Sequence, residues 1–238
     1  MIAALYKALA QLTDRRLGRV VGFGIFGAAV TYAGMVALAW WGLAHTTWFG
    51  GGWTDTLGHL AAGLLALVLP LPFFPALATT LMSVRLEAVA AAVEQRHYPG
   101  LDRPRTQGWG EVLVTTLRFL AVTVLVNLAA LPLYAVLLLT GLAAVLALVL
   151  NGYLLGREYY EVVAFRRLPP AEARQLFRNR LGRFWLAGMV IALLFGVPLL
   201  NLTAPVVATA FMLHLVQAQI QSSTIQAPQA LRPPPDGV

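Results

Sequence analysis

The run FWLAGMVIALLFGVPLLNLTAP, residues 184–205, decides how this chain is built. It holds no charged residue. Its first arm, Phe184 to Phe195, has 12 residues. A helix rising about 1.5 Å per residue makes that arm roughly 18 Å long. The hydrocarbon core of a bilayer is about 30 Å thick. The arm therefore crosses only if it continues through Gly196-Val-Pro198. Glycine loosens a helix there and proline removes a backbone donor. Asn201 and Pro205 follow, so the chain breaks again before resuming its apolar course. This pattern predicts a helical hairpin with its tip inside the membrane. Irregular backbone at that depth is tolerated only when it is buried in protein or lines a watery cavity.

The same design is read upstream. Residues 119–156 form a stretch of 38 with no charge. It carries Asn127-Leu-Ala-Ala-Leu-Pro132, which echoes the Asn201 to Pro205 segment. Two hairpins are expected, both re-entrant, with asparagine satisfying freed backbone groups at each tip. The alternative is that both cross fully, giving six spans.

Further upstream, residues 20–84 hold one charge, Asp55. A Gly/Thr/Trp-rich segment, His45 to Thr56, splits this stretch into runs of about 20–44 and 57–84. Each exceeds the roughly 20 residues that span a bilayer. Trp40, Trp41, Trp48 and Trp53 cluster at the split, where an aromatic belt would sit. Pro70-Leu-Pro72 and Pro75 predict a break in the second run, which then continues as helix to Arg96. His97-Tyr98-Pro99-Gly100 is a stop and turn signal. A cleaved signal peptide is not expected, because the first run is too long and no small-residue cleavage site follows.

Composition agrees with this reading. Of 238 residues, 59% are hydrophobic and 11% charged, with a mean hydropathy of +0.73. An ordinary soluble domain carries about 25% charged residues. Too few charges exist here to cover a water-soluble surface, so the chain is an integral membrane protein. Seventeen Lys and Arg oppose ten Asp and Glu. No basic run is interleaved with aromatics, so no nucleic-acid partner is expected. The cations instead flank the apolar runs, in blocks at 7–19, 85–118 and 157–183, with Arg232 in the tail. The positive-inside rule puts those flanks and the N-terminus in the cytoplasm and the Asp55 loop outside.

Two amphipathic segments complete the map. Ile2, Leu5, Tyr6, Leu9 and Leu12 lie at helical spacing, and so do Leu176, Phe177, Leu181 and Phe184, which face Arg174, Arg178 and Arg180. Both predict helices lying on the membrane. The expected organisation is one helical membrane domain over 1–221 and a disordered tail over 222–238.

The sequence offers little catalytic chemistry. Cysteine is absent. The four histidines are isolated, and none has a partner at metal-ligand spacing, so neither metal nor cofactor is expected. No nucleophile–base motif is visible. Two features point to transport. Polar, proline-broken tips at membrane depth mark solute pathways, which nominates Asn127, Pro132, Asn201, Thr203 and Pro205 as lining residues. Arginines stand at span ends: Arg15, Arg16, Arg19, Arg85, Arg118 and Arg157. A planar guanidinium suits tetrahedral oxyanions, because it donates two parallel hydrogen bonds. Neither hairpin stretch holds an Asp or Glu, which favours an anionic or neutral solute over a cation. The competing reading is a non-transporting scaffold or biogenesis factor that binds lipid or partner helices.

Three strings resemble the CysZ sulfate-permease family, grouped with the etoposide-induced-protein membrane family. They are Pro70-Leu-Pro72-Phe-Phe-Pro75-Ala with Arg85-Leu-Glu87-Ala; Asn151-Gly-Tyr-Leu-Leu-Gly-Arg157-Glu-Tyr-Tyr; and Val197-Pro-Leu-Leu-Asn201-Leu-Thr-Ala-Pro205. The order of elements is similar along nearly the whole chain. The resemblance implies a bacterial inner-membrane permease that admits sulfate for cysteine synthesis. It also implies two long transmembrane helices, two hemi-penetrating hairpins and a symmetric homo-oligomer. Members carry a Gly-Leu-Arg-like pattern before the first long helix, associated with sulfate binding. This chain reads Arg15-Arg16-Leu17-Gly18-Arg19 there, so the resemblance points to Arg15, Arg16 and Arg19 as sulfate contacts.

Overall fold

A computed structural model describes residues 1–45, 52–68 and 71–230. Part of the expected external loop (46–51, with Trp48), Pro70 and the last residues of the tail (231–238) lie outside the described residues. Every element among the described residues is helical. The fold is that of an all-α integral membrane protein.

Helix α1 (Ile2–Ala10) ends in a short 3-10 turn, and Asp14 then caps α2 (Arg15–Ala44) by accepting from the Arg16 backbone N–H. At 30 residues, α2 is about 45 Å long, and it is apolar enough to cross a membrane. The chain returns as α3 (Trp53–Val68) and α4 (Phe74–Ser83), with a 3-10 turn over Leu71–Phe73 between them. Gly63 of α3 lies against Trp40, while Gly24 lies against Ala78 and Met82 of α4. The returning arm is thus antiparallel to α2. The expected break at the prolines is present. A second break at Val84–Arg85 turns the axis by 60° into α5 (Leu86–His97).

The first expected hairpin needs a correction. Helix α6 (Trp109–Leu138) runs unbroken through both Asn127 and Pro132. Its turn comes later, at Leu139 to Leu142, where Gly141 has φ +74°. The physical reason is local. The Asn127 amide donates to the Thr123 carbonyl at 2.8 Å and so supports its own helix. Pro132 deletes only one backbone hydrogen bond from a leucine-rich run of high helix propensity. With 30 residues, α6 is the second helix long and apolar enough to cross a membrane. The second long helix is therefore found here, and not in the broken 57–96 run. Helix α7 (Ala143–Ala164) returns from the turn.

The basic amphipathic helix is shorter than expected. Helix α8 (Pro170–Asn179) stops where Arg180 adopts φ −125°, ψ 26°, and α9 (Leu181–Gly196) begins. At 16 residues, α9 is about 24 Å long, short of the roughly 30 Å hydrocarbon core. The hairpin breaks as expected at Val197, and α10 (Pro198–Asn201) forms its tip. Helix α11 (Ala204–Ala230) then runs on through residues 222–230, which were expected to be disordered. No glycine occurs in that segment and no proline precedes Pro228, so nothing interrupts the hydrogen-bond ladder started at Ala204.

Packing centres on α11. Nearly every residue from Ala204 to Val216 is buried. Around it lie α1, α4, α5, α7 and α9. The tightest approach is between α7 and α9. A methyl group on Gly188 would collide with the Gly152 carbonyl and with the Gly156 backbone. Gly152 and Gly156 stand four residues apart on α7, the small-xxx-small spacing that lets membrane helices meet backbone to backbone. On the arginine-rich side, Glu94 of α5 accepts from Arg166 Nη2 at 3.0 Å and from Arg167 Nε at 3.0 Å. Glu94 is only 5% exposed. It clamps α5 to the end of α7.

Two stability outcomes follow from these contacts. Gly188→Ala is expected to cost about 1–3 kcal/mol by overpacking, while Gly182→Ala, with nothing within 4 Å of its added methyl, costs none. Thermal melts of the detergent-solubilised protein compare the two. Glu94→Gln strands two guanidiniums and should cost roughly 3–5 kcal/mol. The exposed Glu87→Gln serves as its reference, and equal melting temperatures for these two variants would refute the clamp.

Candidate functional site

A groove opens between α2 and α5. Arg16, Arg19, Val20 and Phe23 line it from α2, at the spacing of one helix face. Ala88, Ala92 and Gln95 line it from α5, with Arg85 just before that helix. Alanines on the α5 face leave the space open, and the cavity measures about 410 Å³. No carboxylate lines it.

Each arginine is held differently. Arg16 Nη1 donates to Gln95 Oε1 at 2.6 Å. Arg85 stands over the Phe23 ring, 4.6 Å from its centroid. Arg19 Nε donates to the Arg15 carbonyl at 3.4 Å, within its own helix. Among the described residues none of the three forms an ion pair. The nearby carboxylate of Asp14 is already engaged, with Arg96 at 2.6 Å. The Arg16 backbone N–H and then the Arg96 guanidinium hold the Asp14 carboxyl below its usual range. It therefore stays ionised at neutral pH, yet its charge is spent on Arg96. The groove keeps three guanidiniums outside any ion pair among the described residues.

The structure thus brings Arg16 and Arg19 together and adds Arg85 and Gln95. Arg15 does not line the groove. Gln95 was legible only as one position of a helical stripe (Arg85, Ala88, Ala92, Gln95), and nothing in sequence says which stripe faces α2.

The residues at the expected tips separate. Asn201 ends α10, and its Oδ1 is buried without a hydrogen-bond partner among the described residues. Thr203 Oγ1 donates to the Leu200 carbonyl at 3.1 Å, and Pro205 is buried, its carbonyl accepting from Thr209 Oγ1 at 2.8 Å. Asn127 and Pro132 lie on the exposed surface of α6, whose main contact is α7. They do not join the Asn201 tip.

Two of the four histidines, isolated in sequence, meet in space. The Gln11 amide donates to His97 Nε2 at 2.8 Å and to His214 Nε2 at 2.9 Å, and Tyr98 Oη is 2.9 Å from His214 Nδ1. This set ties the ends of α1 and α5 to α11. No group of three or more potential metal ligands occurs among the described residues.

The Asp14 cap gives a pH-dependent outcome. Its folded pKa is depressed, so its contribution is present at neutral pH and disappears as pH falls through the folded value. Asp14→Ala is expected to cost about 1 kcal/mol at pH 7. In thermal melts the gap between wild type and variant should begin to narrow only below about pH 4, the unfolded carboxylate's range, and close as pH falls below the depressed folded value. A gap that does not shrink at all on acidification would argue against the assigned role.

Among curated proteins and solved structures, comparison finds no significant match. The profile of the family described as sulfate transporter CysZ/etoposide-induced protein 2.4 matches residues 4–205, a span that runs from the amphipathic α1 through the α2–α5 groove to the second hairpin tip. The chain belongs to that family.

Proposed function

We propose that this protein is a permease for a small oxyanion, sulfate first among them. In this reading Arg16, Arg19 and Arg85 bind the anion, and the path continues past the Asn201 tip with Thr203 and Pro205. The carrying observation is the α2–α5 groove: three guanidiniums without an ion-pair partner among the described residues, and no carboxylate in the lining. Such a site favours a tetrahedral anion through charge-assisted, two-pronged hydrogen bonds. Membership of a family described by sulfate transport supports the same choice of anion. The protein sits in a bacterial inner membrane with its N-terminus in the cytoplasm, works as a homo-oligomer and feeds sulfate to cysteine synthesis.

Labelled sulfate uptake into proteoliposomes tests the reading. Uptake above that of empty vesicles, under at least one ion gradient, is expected. Uptake equal to empty vesicles under all gradients would sink it. Binding gives a second measure. Losing one charge-assisted contact costs about 1.5–3 kcal/mol, so Arg16→Ala, Arg19→Ala and Arg85→Ala should each weaken sulfate about tenfold or more by calorimetry. Arg15→Ala, outside the groove, should weaken it less.

A scaffold role is the second reading, favoured by the long, exposed face of α6. It predicts no uptake at all.

A further inference from the structure

A second cationic cavity lies away from the Arg16 groove, between α6, α7 and α8. Its volume is about 280 Å³. Four arginines line it, namely Arg118 of α6, Arg157 of α7, and Arg174 and Arg178 of α8, against one carboxylate, Glu161. That carboxylate is occupied, because Arg157 Nε donates to it at 2.8 Å. Among the described residues Arg118, Arg174 and Arg178 form no ion pair. The surplus charge has no ion-pair partner among the described residues.

The arginines of α8 are presented from a fixed platform. Tyr160 donates its hydroxyl to the Ala173 carbonyl at 2.6 Å. Phe177, beneath Arg174 and Arg178, stacks on Phe184 with centroids 5.7 Å apart. The backbone that carries both arginines is therefore held in place.

The cavity's other walls decide which oxyanion fits. Val122 of α6 and Leu181 at the start of α9 line it below the guanidiniums. Along α6 this apolar wall continues outward through Leu125 and Leu128, which are exposed. Helix α8 is amphipathic, with arginine above phenylalanine, as at a water–hydrocarbon boundary. A soluble anion would meet only the charged rim. A phospholipid would meet both halves, its phosphodiester at the rim and its chains along α6. Basic pockets between membrane helices hold anionic headgroups in this way.

We propose that this cavity binds the phosphate of an anionic phospholipid, with Arg118, Arg174 and Arg178 as the headgroup contacts. The site is separate from the transport groove, and its test does not use uptake.

Native mass spectrometry of the full chain, titrated in neutral detergent with phosphatidylglycerol or phosphatidylcholine, reads the preference. Phosphatidylglycerol should be retained at least about tenfold better, and the triple variant R118Q/R174Q/R178Q should bring the ratio near one. Excess inorganic phosphate should not displace the lipid. Equal retention of the two lipids, or an unchanged ratio in the triple variant, would overturn the proposal. Displacement by inorganic phosphate would overturn the lipid as occupant in favour of a soluble oxyanion. If the triple variant does not fold, the single Arg178→Gln, exposed on α8, serves instead. A ratio reduced severalfold supports the site, and an unchanged ratio refutes it.

Discussion

The first half of α11 has no polar face, and the rest of the structure answers to that. From Ala204 to Val216 it is apolar nearly all round, and such a helix must be enclosed on every side. Neighbours α1, α4, α5, α7 and α9 enclose it. Thr209 and His214, the two polar side chains buried between Ala204 and Val216, each find a partner. Thr209 bonds back to the Pro205 carbonyl, and His214 bonds Gln11 and Tyr98. Those bonds in turn fix where α1 ends and where α5 turns. The glycine contact between α7 and α9 closes the remaining side, since only backbone-to-backbone approach lets both helices reach α11.

Charge then divides the arginine-rich side. Four carboxylates there are taken by arginine: Asp14 by Arg96, Glu94 by Arg166 and Arg167, Glu161 by Arg157, and Glu111 by Arg105. Arginine outnumbers them, so guanidiniums are left over. Those left over collect largely in two places. Arg16, Arg19 and Arg85 face one another across the α2–α5 groove. Arg118, Arg174 and Arg178 rim the α6–α8 cavity. Arginines that stand apart at span ends in the sequence become two arginine-lined surfaces of different character. One is walled by alanines of α5, and the other opens onto the apolar face of α6.

Much of the architecture was legible from hydropathy and breakers. The proline break after Val68, the short α9 arm and the Val197 tip all lie where residue chemistry puts them. The first hairpin was misread because Asn127 and Pro132 look like the Asn201 and Pro205 pair. The difference lies in what flanks them. Gly196 and Pro198 break the second segment before Asn201 is reached, whereas Asn127 has neither beside it and bonds its own helix. The end of α11 was misread for the converse reason: polar residues alone do not stop a helix.

The sequence by itself determined that this is a helical membrane protein, that its Phe184–Phe195 arm is too short to cross alone, and that most of its arginine lies in blocks flanking apolar runs. These follow from local quantities: charge, hydropathy, length, and the backbone demands of proline and glycine. Only the tertiary structure decided which arginines share a site. Arg16 and Arg85 are 69 positions apart, and their meeting depends on the 60° bend that swings α5 against α2. The direction of such a bend is set by long-range packing around α11, and no local pattern records it.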